Sequence, residues 1–228
     1  MEKMMIMVIN GSPRKNGVTA KILHRMEERL LEKENISVEF VEISSLNMEY
    51  CSGCCSCYKT GQCYRNDDAE KLSNRIAQAD GLIIGSPTYA SNVSGQLKQF
   101  IDRGHFVIEQ LLHNKYAISV AIGENYGSGD TSKILTKLLT YSGAKLTGKI
   151  IYNIPFNEPP DNDDKLKEKI NCLSDRLYTD IQKKKRYLWQ SIVHQIIFLI
   201  GIKPFVKRKG EQYKGVMEKW KKNHIIVD

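Results

Sequence analysis

The chain has 228 residues, of which 41% are hydrophobic and 26% charged, as in one soluble globular domain of ordinary size plus an extension. Its formal net charge of +8 comes from the tail, because residues 183–224 carry twelve Lys or Arg and two Glu. No nucleic-acid-binding motif accompanies this charge, which argues against a DNA- or RNA-binding protein and favours a solvated tail that packs on a neighbour.

The N-terminal stretch predicts a buried strand followed by a helix. Residues 4–9 form a short apolar run, a Gly/Ser/Pro/Asn turn follows, and apolar residues recur at helical spacing over residues 18–33. The apolar run is short and precedes no small-residue cleavage site, so it is not typical of a secretory signal. We therefore expect a cytoplasmic protein.

Five of the six cysteines lie within residues 51–63, in the sequence CSGCCSCYKTGQC. Cys51, Cys54, Cys57 and Cys63 have the spacing C-x2-C-x2-C-x5-C. In a reducing compartment such a group indicates metal or redox chemistry rather than a disulfide framework.

The remainder alternates between strands and helices. Strands are predicted at residues 38–43, 81–85, 116–122 and 149–154, and helices follow Asp67-Asp68 and span residues 97–112, 131–141 and about 164–185. Five strands that alternate with helices predict an α/β fold: a doubly wound, five-stranded parallel sheet of flavodoxin-like order. Residues 1–185 would form this domain, and residues 186–228 a basic extension that is helical.

Residues 191–206 of this extension are apolar, but the run is shorter than the ~20 residues of a spanning helix and contains His194, Lys203 and Pro204. We therefore predict no transmembrane segment. A helix that packs on the domain or forms an oligomer interface is the main interpretation, and an interfacial membrane helix is the alternative.

Three loops are predicted to meet at the carboxyl edge of the sheet, where doubly wound folds bind ligands. The loop of residues 11–17 lies between a strand and a helix N-terminus, which suits a phosphate group. It matches neither the P-loop nor the dinucleotide-binding pattern, so a monophosphate such as that of FMN is favoured. The second loop follows residue 85 and contains Tyr89, and the third is glycine-rich and covers residues 123–129.

The chain resembles the flavodoxin-like NAD(P)H-dependent FMN reductase family, and most closely its iron–sulfur flavoprotein branch. The resemblance covers roughly residues 4–185. Its motifs are GSPRKNG at 11–17, the cysteine run through Asp67-Asp68, ADG at 79–81, SPTY at 86–89, VSG at 93–95, and the stretch from Lys98 to Asp102 and Arg103.

This resemblance implies that FMN is held by the three loops. The implied ligands on the phosphate side are Ser12, Arg14, Asn16, Gly17, Val18 and Thr19. Those near the isoalloxazine are Pro87, Thr88, Tyr89, Asn92, Gly123, Glu124 and Gly127.

The resemblance also implies that Cys51, Cys54, Cys57 and Cys63 bind a [4Fe–4S] cluster, since thiolates suit iron–sulfur centres. Zinc bound by the same four residues and a loop of free thiols at a subunit interface remain alternatives.

The sequence thus predicts an FMN-dependent oxidoreductase that moves electrons from NAD(P)H, or from a ferredoxin-like donor, to an unknown acceptor. The alternative is a flavodoxin-like electron carrier without its own substrate. We expect a small-molecule or protein redox partner and, from the resemblance, a homodimer or homotetramer. The helix at 97–112 and the tail are the candidate interfaces. No catalytic acid or base is predicted.

Overall fold

The computed structural model describes residues 3–155, 158–160 and 163–226. Its centre is a five-stranded, entirely parallel sheet of order β2-β1-β3-β4-β5. This strand order is the flavodoxin-like one and confirms the predicted fold class. The strands are β1 (Met4–Asn10), β2 (Ile36–Glu42), β3 (Gly81–Pro87), β4 (Tyr116–Gly123) and β5 (Lys145–Asn153).

Helices cover both faces of the sheet, and a helical tail follows. The helices are α1 (Val18–Leu31), α2 (Ser56–Thr60), α3 (Asp68–Gln78), α4 (Gly95–Arg103), α5 (Ser128–Tyr141), α6 (Asp164–Gln182), α7 (Leu188–Ile196), a π-helical segment (Ile197–Ile202), α8 (Lys203–Lys209) and α9 (Lys214–Lys222), with 3₁₀ turns at Ile43–Ser45 and Gly210–Tyr213.

The alternation of side chains along the strands divides the core into two layers. On β1, Met7 and Ile9 face the layer formed with α3, α4 and α5, whereas Ile6 and Val8 face the layer formed with α1 and α6. All four are fully buried. A strand covered on both faces reads as a continuous apolar run, which is why β1 could be recognised in the sequence.

The helix predicted at residues 97–112 is shorter than expected. It begins at Gly95 and ends at Arg103, and successive turns lead to β4. His105, Gln110 and Asn114 have positive φ angles of 55°, 57° and 62°. Left-handed residues cannot continue a right-handed helix, so the apolar residues of this segment pack as turns.

The tail is helical, as predicted, and forms a small core of its own. Phe198, Val206 and Trp220 are buried together and pack against Val107 and Ile108 of the turns after α4. By length and composition alone, the helix Leu188–Lys222 is the one in the described part of the chain that could cross a membrane, and this is weak evidence for a span.

Candidate functional site

The loop after β1 is a tight turn fixed by side-chain hydrogen bonds. The Ser12 amide donates to Oδ1 of Asn10 (3.0 Å), and the Arg14 amide donates to Oγ of Ser12 (3.1 Å). Gly11 has no room for a side chain, because an added Cβ would lie 2.7 Å from the carbonyl oxygen of Gly85. The loop is therefore held against the neighbouring strand β3.

The N-terminus of α1 opens from this loop without a side-chain cap. Gly17 is the N-cap residue, and it has no side chain to accept a hydrogen bond from the first turn. The free amides of this turn and the positive end of the helix dipole can therefore stabilise an anionic group of a ligand. Lys21, one turn into the helix, adds positive charge to the same recess.

Hydrogen bonds connect the three loops. The Ser94 hydroxyl donates to the Gly11 carbonyl oxygen and also accepts from the Leu97 amide (3.1 Å), so it caps α4. The Thr88 amide donates to the Ile122 carbonyl oxygen over 2.6 Å. The second loop is thus fixed to both of its neighbours, which gives a rigid scaffold at the carboxyl edge of the sheet.

These loops enclose a cleft of about 530 Å³. Most of the residues predicted to hold FMN line it: Ser12, Arg14, Asn16, Gly17, Val18, Thr19, Pro87, Thr88, Tyr89, Gly123 and Glu124. The hydroxyl oxygen of Thr88 is buried here without a hydrogen-bond partner among the described residues. A buried polar atom without a partner is destabilising, so this hydroxyl is suited to bind a polar ligand atom.

Asn92 and Gly127 were also predicted to lie near the ligand, but they do not line the cleft. Asn92 pairs its main chain with Tyr89 in both directions (3.0 Å each) and accepts the Thr131 hydroxyl at its carbonyl (3.0 Å). Gly127 has a φ of +84° and packs behind the second loop, where a Cβ would lie 2.7 Å from Oγ of Ser91. Both residues shape the loops from behind.

Five residues that line the cleft were missing from the sequence prediction: Lys21, Ile122, Ile154, Pro155 and Glu158. Three of them follow β5, whose carboxyl end reaches the same edge. Ligands of doubly wound folds bind at the carboxyl ends of the strands, and this principle, applied to β5 as well, would have indicated these three residues.

A second recess, of about 280 Å³, is lined by Cys51, Cys54, Cys55, Cys57 and Cys63. All six cysteines of the chain are free. Within residues 3–155, 158–160 and 163–226, no group of three or more His, Cys, Asp or Glu is close enough to hold a metal ion. The structure therefore brings the four predicted ligand residues to one recess but does not arrange them as a coordination shell.

Arg103, at the end of α4, joins the two ends of the cysteine segment. Its guanidinium donates to the Glu49 carbonyl (2.6 Å), to both carboxylate oxygens of Asp67 (2.8 and 2.9 Å) and to Sγ of Cys63 (3.4 Å). The side chain is 2% exposed. In the sequence, Arg103 is recognisable only as part of the family motif, because its role at the cysteines depends on where α4 ends.

A chain of polar contacts leads from the tail to Cys57. Lys219 of α9 donates to Glu109 (2.7 Å), and Glu109 pairs with Nδ1 of His105 (2.8 Å). Burial alone would lower the pKa of His105, but hydrogen bonds to Cys57 and Glu109 outweigh it and raise the pKa to about 10. The His105 ring is therefore cationic at neutral pH, and it lines the recess beside Cys57.

The tail packs directly on the cysteine segment. Gly215 of α9 lies so close to Gly61 that a Cβ at position 215 would overlap the main chain of α2. Tyr58 stacks on Tyr213 with ring centroids 4.7 Å apart, and burial raises the pKa of Tyr58 to about 12. The basic extension thus packs on α2, the helix that carries Cys57. No periodic pattern in the sequence indicates this contact, because it joins segments about 150 residues apart.

Comparison with known proteins identifies the family of the chain. Residues 4–158 match the family model described as NADPH-dependent FMN reductase. The chain is 36% identical to an iron–sulfur flavoprotein of Clostridioides difficile (strain 630), over 98% of this chain and 100% of that protein. It is 30% identical to an iron–sulfur flavoprotein of Archaeoglobus fulgidus, over 96% of this chain and 98% of that one.

The fold is also similar to that of solved flavin enzymes. A crystal structure of an NADH:FMN oxidoreductase in its apo form superposes with a TM-score of 0.58 at 19% identity, covering 78% of this chain and 90% of that one. At this identity the likeness concerns the fold alone. The family match and the full-length relatives show that the chain belongs to the NADPH-dependent FMN reductase family, in its iron–sulfur flavoprotein branch.

Proposed function

We propose that the chain is an FMN-dependent oxidoreductase that takes electrons from NAD(P)H or a ferredoxin-like donor and passes them to an acceptor through a [4Fe–4S] cluster. The observation that carries the FMN proposal is the cleft itself. It joins an uncapped helix N-terminus with the buried, unpartnered hydroxyl of Thr88, and these two features suit the phosphate and a polar edge of FMN.

Different residues of the cleft would bind the phosphate and the ring system of FMN. The loop from Ser12 to Thr19 would bind the phosphate through main-chain amides, and Arg14 and Lys21 add positive charge. Pro87, Thr88 and Tyr89, with Gly123 and Glu124, would contact the ring system, and Asn92 and Gly127 would support them from behind. FMN, when bound, would supply the redox chemistry, while the protein binds and orients it.

The cysteine recess supports the cluster through its donor chemistry. Four free thiols, at positions 51, 54, 57 and 63, are the ligand set that iron–sulfur clusters use. Arg103 donates a hydrogen bond to Sγ of Cys63 (3.4 Å), and the cationic ring of His105 lies beside Cys57, so positive charge faces two of the four sulfurs. The C-terminal end of α4 lines this recess through Ile101, Asp102 and Arg103, whereas Ser94, which caps the other end, is bonded to Gly11 of the first cleft loop.

The proposal also covers the oligomeric state and the cellular location of the protein. We propose a cytoplasmic homodimer or homotetramer in which a second copy covers the open side of the cleft. Two aromatic side chains support this, because Tyr89 lines the cleft and is 43% exposed, and Tyr126 of the third loop is 80% exposed. Sedimentation of the FMN-loaded protein as a monomer would contradict it.

A turnover assay tests the function. Protein purified without oxygen and loaded with FMN is mixed with NADH or NADPH and an artificial electron acceptor. Catalytic oxidation of the nicotinamide is the expected result. Binding of FMN without turnover, even with either nucleotide in excess, would favour a flavodoxin-like electron carrier, and a protein that does not retain FMN would overturn the proposal.

A further inference from the structure

The helix that begins the tail has two apolar faces. Its inner row packs on the domain and consists of His194, Phe198, Ile202 and Val206, all buried and spaced by four residues. The side chain of Gln190 also holds this helix to the edge strand β5, because it accepts from the Leu146 amide (2.7 Å) and donates to the Leu146 carbonyl (3.0 Å). The helix is therefore fixed with one particular face outward.

The outer face is a stripe of exposed, large apolar side chains. We call it the outer stripe; it consists of Leu188, Trp189, Ile192, Ile196, Leu199 and Ile200. Trp189 and Ile200 are each 75% exposed. From residue 188 to residue 200 the stripe is roughly 18 Å long. Exposed apolar surface of this extent marks an interaction site.

Basic residues flank both ends of the outer stripe. Residues 183–210 contain no Asp or Glu, and the eight cations are Lys183, Lys184, Lys185, Arg186, Lys203, Lys207, Arg208 and Lys209. All of them except Lys203 are exposed. Residues 187–202, which carry the stripe, have no Lys, Arg, Asp or Glu at all. An uncharged apolar surface between two cationic groups is complementary to a surface that is anionic at its boundary and apolar beneath it.

From this pattern we infer that the outer stripe attaches the protein to the surface of an anionic lipid bilayer. Apolar side chains would enter the boundary of the acyl chains, and the flanking cations would contact anionic headgroups. A second copy of this chain fits less well, because pairing through the stripe would bring two strongly cationic tails together. A nucleic acid would leave the apolar side chains exposed.

The attachment is peripheral rather than spanning. The uncharged stretch has sixteen residues, fewer than the ~20 that cross a bilayer. A spanning helix would also have to leave the inner contacts, among them the edge-to-face packing of Phe198 on Trp220 at 5.0 Å. Lying in the plane of the interface keeps those contacts and buries only the outer stripe.

The two tryptophans allow a direct test. Trp220 is fully buried and donates to the Ile108 carbonyl (3.0 Å), whereas Trp189 belongs to the outer stripe. The FMN-loaded, full-length protein is mixed with vesicles of phosphatidylcholine containing 30% phosphatidylglycerol, or with phosphatidylcholine alone. We expect cosedimentation with the anionic vesicles only, a blue shift of tryptophan emission that is absent in Trp189→Phe, and release by 0.5 M salt.

Matched variants locate the contact. Ile196→Glu should weaken vesicle binding by roughly tenfold or more, since it removes one buried apolar side chain and adds a negative charge. Leu31→Glu is the control, because Leu31 is an equally exposed leucine (55%) on α1, outside the tail. Replacement of any one flanking lysine by Gln should weaken binding to the anionic vesicles by roughly fivefold.

Several results would overturn the proposal. These are an absence of binding to anionic vesicles, equal binding to neutral ones, and a loss of binding in Leu31→Glu as large as in Ile196→Glu. Sedimentation of the wild type as an oligomer that Ile196→Glu dissociates, without any vesicle binding, would instead identify a second copy as the occupant of the stripe.

Discussion

Arg103 forms a bidentate, buried ion pair with Asp67, and its two N–H···O distances are 2.8 and 2.9 Å. The same guanidinium binds the Glu49 carbonyl, and the Asp67 carboxylate accepts the amides of Glu49 (3.0 Å) and Ala69 (3.1 Å). One ion pair therefore fixes where the cysteine segment begins, where it ends and where α3 starts.

Removal of this guanidinium should be strongly destabilising. Arg103→Ala leaves Asp67 as a buried carboxylate without its charged partner, so we expect the free energy of unfolding to fall by about 3–5 kcal/mol. Urea denaturation measures this. Lys98→Ala is the control, since Lys98 forms an exposed ion pair with Asp102 on the same helix and should cost at most about 1 kcal/mol. Equal costs for the two variants would contradict the structural role of Arg103.

The contact of Gly215 with Gly61 predicts a steric effect. Gly215→Ala forces α9 away from α2, and we expect a loss of about 1–3 kcal/mol in unfolding free energy and faster reaction of the cysteines with a thiol reagent. Gly201→Ala is the matched control, because no atom lies within 4 Å of the added Cβ. It should be neutral or stabilising by up to about 1 kcal/mol. If thiol reactivity is unchanged in Gly215→Ala, the packing of the tail does not protect the cysteines.

Thr88→Val tests the unpartnered hydroxyl of the cleft. We expect FMN to dissociate more readily by roughly fivefold, which corresponds to about 1 kcal/mol, while the apoprotein becomes no less stable. Fluorescence titration of the apoprotein with FMN measures the affinity. Ser174→Ala removes another buried, unpartnered hydroxyl that lies outside the cleft, and it should leave FMN affinity unchanged. If Thr88→Val binds FMN with wild-type affinity, the Thr88 hydroxyl does not contact the ligand.

His113 predicts a pH dependence of stability. Burial, together with the nearby His194, Lys145 and Lys115, lowers its pKa from 6.5 to about 4. Because folding favours the neutral ring, its contribution to stability is fully present above pH 6.5 and is lost as the pH falls toward 4.

Replacement of His113 should therefore make the free energy of unfolding depend less steeply on pH below pH 6.5. We expect the loss of unfolding free energy between pH 6.5 and pH 4 to be smaller in His113→Gln than in the wild type, by about 1–3 kcal/mol. His224→Gln, a change at an exposed ring, is the control. Parallel profiles for His113→Gln and the wild type would show that this ring does not titrate with folding.

The sheet and the positions of its loops could be predicted because they depend on local sequence signals. Apolar runs such as that of β1 identify strands buried on both faces, and parallel strands bring their carboxyl ends to one edge. The cleft follows from this topology, and that is why Ser12, Thr88 and Glu124 could be named in advance.

The features that were missed depend on contacts distant in sequence or on main-chain geometry. The apolar residues between Phe106 and Leu112 are compatible with a helix, and left-handed residues such as His105 and Gln110 prevent it. The packing of the tail on α2 depends on two glycines, Gly61 and Gly215, that meet in space. Neither relationship leaves a periodic pattern in the sequence.

The most direct test of the central claim is a count of cofactors in protein purified without oxygen. We expect one FMN and about four irons and four sulfides per chain, with iron lost in Cys51→Ser, Cys54→Ser, Cys57→Ser or Cys63→Ser and kept in Cys172→Ser. A preparation that binds FMN but no iron, or one whose iron survives serine at any of the four positions, would contradict the assignment of these cysteines.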